Sequence, residues 1–192
     1  MELQRVLLPP SKESINEYVV KFDRKNAITE KTINKIINIY PKNILIEDIL
    51  TKVVIINRLY STNIYDIYEM SFGIKRLDID EYLNKTDLGI VEKIANSYIK
   101  AGKHIYCYSF ATKYCSFHNN GYPLYDSIID KMLCLYNEKD NFSNFRKYDL
   151  KNYLTFVRVL NDFITYYTLG DISYKDLDKY LWQYGKDYLY GS

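Results

Sequence analysis

The sequence predicts an all-α chain. Three observations carry that reading. Apolar residues recur mostly at intervals of three and four, the spacing of one helix face. No set of alternating strands stands out. Seven glycines and four prolines are few for 192 residues, which suits helices joined by short connections. A chain of this length forms a single helical domain over residues 1–192, or two helical lobes that share a core and flank a cleft.

The elements follow in order. Residues 11–22 carry Ile15, Tyr18, Val19 and Phe22 on one helical face. Residues 29–40 repeat the pattern with Ile33, Ile36, Ile37 and Tyr40, and Pro41 stops them. Residues 46–59 are apolar almost all round, which predicts a helix at the centre of a bundle. Residues 64–72 form a short helix ending at Gly73. Residues 87–99 form another, closed at Ala101 and Gly102, where glycine can take the left-handed turn that ends helices. Residues 106–117 place Phe110, Tyr114 and Phe117 at i, i+4 and i+7. Asn119-Asn120-Gly121 is a turn of residues that tolerate positive φ. Residues 126–136 are helical, and 137–144 are a polar loop. A long apolar helix over 150–167 stops at Gly170, and a last amphipathic helix spans 173–184.

Composition narrows the function. The 47% hydrophobic content supports a sizeable core and argues against disorder. The 26 basic and 24 acidic residues leave +2, a balance too mild to prove a nucleic-acid partner, and since no basic run exists a nucleic acid would be met by dispersed Lys and Arg. The 22 tyrosines, with many Ile, Lys and Asn, reflect either an A/T-rich genome or a use of Tyr in stacking and phosphate contact. Cys107, Cys115 and Cys134 form no CxxC, and His104 and His118 are not at ligand spacing with them. The expectation is therefore no metal, no cofactor and free thiols in a reducing compartment. The first residues hold too short an apolar run for a signal peptide. No window reaches the ~18 apolar residues of a membrane span. A cytoplasmic protein is expected.

Three stretches can carry chemistry. Asn57-Arg58-Leu59-Tyr60-Ser61-Thr62-Asn63 lies where the most apolar helix ends. Ser61, Thr62 and Asn63 are N-cap types at a plain corner, or polar tips on a rigid mount that read a ligand. Lys113 borders the apolar face of its helix. It either snorkels to solvent or is held in a cleft as a nucleophilic amine. In Pro123-Leu124-Tyr125-Asp126-Ser127-Ile128-Ile129-Asp130, Ser127 and Asp130 match a capping box. Either Ser127 or Asp126 caps the helix.

The order of these stretches resembles the helix-hairpin-helix DNA glycosylase superfamily. Ser109-Phe110-Ala111-Thr112-Lys113-Tyr114 and Tyr122-Pro123-Leu124-Tyr125-Asp126 look closest to bacterial proteins described as like 8-oxoguanine DNA glycosylase. The resemblance covers about residues 46–133, and extends to the stretch around Trp182. It implies a helical base-excision enzyme, an N-glycosylase with AP lyase activity, acting on a flipped modified base in duplex DNA. Lys113 would be the nucleophile and Asp126 its electrostatic partner. Ser61, Thr62 and Asn63 would fill the space of the extruded base or touch the opposite strand, and Trp182 would belong to the base pocket. The chain departs from the superfamily's L-P-G-V-G hairpin, since residues 104–109 hold no glycine. Two other classes remain: a catalytically silent nucleic-acid-binding module on the same scaffold, and a helical protein-interaction module whose tyrosines are interface anchors.

Overall fold

The computed structural model describes residues 6–100 and 102–191. Among them are nine α-helices: α1 (Lys12–Ile39), α2 (Ile46–Tyr60), α3 (Ile67–Leu77), α4 (Asp80–Lys85), α5 (Gly89–Ala95), α6 (Tyr108–His118), α7 (Ser127–Asp140), α8 (Tyr153–Tyr166) and α9 (Tyr174–Tyr190). Two strands of two residues, β1 (Ile99–Lys100) and β2 (Lys103–His104), pair antiparallel, and a 3-10 turn spans Lys147–Lys151. The fold is all-α. It divides into two compact units, one of residues 27–125 and the other of residues up to 26 with those from 126 onward.

Several elements differ from the sequence expectation. The helices at 11–22 and 29–40 are one helix of 28 residues, because residues 23–28 contain neither Gly nor Pro to break it. Ser11 starts it, exchanging reciprocal side-chain bonds with the backbone and hydroxyl of Ser14. Helix α2 is not buried all round. Ile49, Lys52, Val53 and Ile56 form its inner face, while Val54 is 39% and Leu59 43% exposed. Gly73 does not end α3. It lies inside the helix because a Cβ there would meet the Ser97 hydroxyl at 2.7 Å and its carbonyl at 2.8 Å. Helix α4 is not among the elements that the apolar spacing predicts.

The helix expected over 87–99 runs only from Gly89 to Ala95. The Ala95 carbonyl accepts from Cys107 N–H at 2.8 Å and the Tyr98 carbonyl from Ile105 N–H at 3.0 Å, so the chain doubles back through β1 and β2. Gly102 has φ of +75° at the tip of that hairpin rather than at a helix end; Ala101 lies outside the described residues. Gly121 is needed for space, not for positive φ: a Cβ would meet Thr86 Cγ2 at 2.8 Å. The expected loop over 137–144 begins later, since α7 continues to Asp140.

In the 27–125 unit, α2 packs against α3 and α6, and α5 against α6. Ile33, Ile37, Val53, Met70, Ile74, Ile90, Ile94, Phe110 and Tyr114 fill the interior. In the other unit α7 packs against α9, at a crossing where a Cβ on Gly185 would meet Ile128 and Met132 at 2.6 Å. Here the tyrosines are structural. Tyr136 donates to the Leu8 carbonyl at 2.9 Å and bonds the Tyr180 hydroxyl at 2.9 Å, while the Tyr184 hydroxyl accepts from Leu8 N–H at 2.9 Å. Each ring supplies apolar area and each hydroxyl finds a partner. No helix among the described residues is long and apolar enough to cross a membrane.

Candidate active site around Lys113

Helix α6 positions Lys113. Ser109 lies four residues earlier, on the same helical face. The Lys113 ammonium donates to Ser109 Oγ at 2.7 Å and to the Tyr125 carbonyl at 3.0 Å. The Tyr60 ring centroid lies 5.6 Å from Nζ, within cation–π range. Lys113 is 1% exposed, so it does not snorkel to solvent. The neighbouring Thr112 accepts from Tyr125 N–H at 3.1 Å and donates to the Ser109 carbonyl at 3.1 Å. Two consecutive residues thus hold both polar groups of the Tyr125 backbone. The Tyr125 ring is buried against Tyr108, with centroids 4.7 Å apart.

Tyr60 is the last residue of α2 and packs edge-on to Phe117 at 5.6 Å. It links Lys113 to the tip formed by Ser61, Thr62 and Asn63. Those three are not N-caps. Ser61 ends α2 in the left-handed region (φ 49°), Asn63 is also left-handed (φ 61°), and Asp66 caps α3 by accepting from Glu69 N–H at 3.0 Å. Asn57 organises the tip: its carbonyl oxygen accepts from Thr62 Oγ1 and Ile64 N–H, both at 2.9 Å, and its amide donates to the Ile64 carbonyl at 2.9 Å.

Asp126, not Ser127, caps α7. Its Oδ1 accepts from Ile128 N–H at 2.9 Å, and Ser127 is the first helical residue. Trp182, on α9, is half-buried, with Phe22 edge-on at 5.5 Å and the Lys186 ammonium 4.8 Å from its ring. Lys113 and the 61–63 tip therefore share the 27–125 unit, while Asp126 and Trp182 belong to the other.

A second buried lysine shows a different use. Lys52 donates to the Tyr40 and Lys42 carbonyls at 3.0 and 2.8 Å and to Asn43 Oδ1 at 2.7 Å, so all three ammonium hydrogens are placed. Tyr114 also donates to Asn43 Oδ1, at 2.5 Å, and Asn43 donates to Asp80 at 2.7 Å. Burial lowers the Lys52 pKa to about 8, against the opposing pull of Asp80. Its acceptors saturate it and it joins the end of α1 to α2. A lysine inside the apolar run Ile49-Leu50-Thr51-Lys52-Val53-Val54 was the sequence signal for it. Ser109 was visible as the i−4 neighbour of Lys113; the role of Tyr60 had no such signal.

A profile of the HI_0787_N family, described as an N-terminal domain, matches residues 14–122. That stretch includes the tip and Lys113 and stops short of Asp126. An uncharacterized protein of Haemophilus influenzae is similar, with 42% identity over 146 residues, covering 74% of this chain and 68% of that one. No solved structure matches the chain.

Proposed function

We propose that this chain, which belongs to the HI_0787_N family, is a DNA base-excision enzyme: an N-glycosylase with AP lyase activity that acts on a modified base flipped out of duplex DNA. The observation that carries the reading is the fixed amine. Lys113 is drawn out of water and aimed by Ser109 and the Tyr125 carbonyl beside the ring of Tyr60. A solvating surface lysine has no need of such a cradle.

The chemistry follows from an amine nucleophile. The target base leaves the stack first. A neutral amine then attacks the sugar C1′, and the C1′–N bond to the base breaks, its electron pair leaving with the base. Loss of the amine proton and opening of the sugar ring give an iminium. Proton loss at C2′ then expels the 3′-phosphate. Ser61, Thr62 and Asn63 meet the strand at the vacated position.

One experiment separates the steps. Single-turnover excision is measured on duplexes carrying different oxidised, deaminated and alkylated bases, alongside binding to the same duplexes. Lys113→Gln keeps binding and loses excision. If no modified base is excised, or if Lys113→Gln excises as fast as the parent, the enzyme reading fails. The second reading is the catalytically silent nucleic-acid-binding module. It is favoured by the 1% exposure of Lys113 and by the clamp on Tyr125, a purely structural use like that of Lys52. That module binds duplex DNA without excision.

A further inference from the structure

We infer that the corner between α2 and α3 is a nucleotide-binding pocket, in which Arg58 pairs with the phosphate and Tyr65 stacks on the base. The corner holds a pocket of about 400 Å3, a size that suits one small ligand. Val54 and Ile67 give it apolar walls, and Arg58, Ser61, Asn63 and Tyr65 its polar and aromatic lining. Its lining contains one cation and no carboxylate, so the favoured ligand is an anion.

The polar groups are available. Arg58 is exposed on the last turn of α2 and makes no hydrogen bond or ion pair among the described residues. The side chains of Ser61 and Asn63 likewise have no hydrogen-bond partner there, and both residues are exposed. Asn57 is excluded as a ligand group, because Thr62 and Ile64 consume its amide. A guanidinium presents a planar fork that matches two phosphate oxygens. Tyr65, 79% exposed, offers an aromatic face for a base. Asn63 supplies both a donor and an acceptor for a base edge. An apolar wall, an aromatic face, an uncommitted arginine and a carboxamide together fit a planar ring joined to a phosphate better than either part alone.

The site shares Ser61 and Asn63 with the strand contact proposed above but needs no chemistry at Lys113, so loss of excision and loss of nucleotide binding are separate outcomes. Its ligand is a free nucleotide or one nucleotide of a strand, and the test distinguishes them. The full chain is titrated with dAMP, deoxyadenosine, inorganic phosphate and a five-residue deoxyadenosine oligonucleotide, while amide resonances are followed by NMR. We expect saturable shifts at Ser61, Asn63 and Tyr65 with dAMP, and at least tenfold weaker binding of the nucleoside and of phosphate. Arg58→Gln and Tyr65→Ala each weaken dAMP at least tenfold. Tighter binding of the oligonucleotide at the same resonances assigns a strand; equal affinity assigns a free nucleotide. The inference is overturned if neither dAMP nor the oligonucleotide shifts these resonances, or if Arg58→Gln binds like the parent.

Discussion

His118 makes the stability of this protein depend on pH in a direction and size that the structure specifies. It closes α6, with its ring 5.0 Å from that of Tyr114 and its Nε2 buried without a hydrogen-bond partner among the described residues. Burial, and then the Lys52 ammonium, lower its pKa from 6.5 to about 3, while Asp80 acts in the opposite sense. Between those two values the unfolded chain binds more protons than the folded one. Stability from this residue is therefore complete above pH 6.5 and is lost as pH falls toward 3. The whole gap, at 1.36 kcal/mol per unit, is worth about 5 kcal/mol. By about pH 5 the loss relative to about pH 7 is already ~2 kcal/mol. Urea unfolding of the parent and of His118→Gln, across this range, isolates the contribution from that of the carboxylates. The parent should lose about 2 kcal/mol more than the variant between those two pH values. Parallel curves for the two proteins, or a His118 resonance that titrates near the ordinary histidine value, would mean that His118 is not held neutral by the fold.

Three further changes have defined outcomes. Lys52→Met removes the donor from the Tyr40 and Lys42 carbonyls and Asn43 Oδ1, and should cost about 1–3 kcal/mol or more in denaturant unfolding. Gly73→Ala forces a Cβ to within 2.8 Å of the Ser97 carbonyl, so it should lower thermal stability by about 1–3 kcal/mol even though alanine favours helix by ~1 kcal/mol. Asp126→Ala removes the acceptor of Ile128 N–H at the start of α7 and should cost about 0.5–2 kcal/mol in denaturant unfolding.

Helix type and most helix positions were legible in the sequence because apolar spacing reports a buried face directly. Pro41 and Ser173 act as local signals should: α1 ends at Ile39, and the Ser173 hydroxyl accepts from Asp176 N–H at 3.0 Å. What the spacing could not show was set by contacts distant in sequence. Gly73 reads as a helix stop until Ser97 is placed against it. The chain turns back after Ala95 because Cys107 and Ile105 supply donors to carbonyls there, which no local pattern encodes. The same holds at the site. Lys113 could be marked as bordering an apolar face, but whether it reached solvent depended on Tyr125, twelve residues on, and on Tyr60 from another helix. Asp126 and Ser127 are both good capping residues, and the backbone of Asp126, extended at φ −140° and ψ 153°, decides between them.

An amine nucleophile at Lys113, as proposed, forms an imine with the DNA sugar that borohydride traps. The full chain is incubated with duplex DNA bearing an abasic site or a base that it excises, and borohydride is added to reduce any imine to a stable amine. The expected result is a covalent protein–DNA adduct whose peptide map places the attachment on Lys113, and no adduct with Lys113→Gln, which still binds the duplex. Absence of an adduct with bound DNA, or an adduct that forms equally in Lys113→Gln or maps to another lysine, would contradict it.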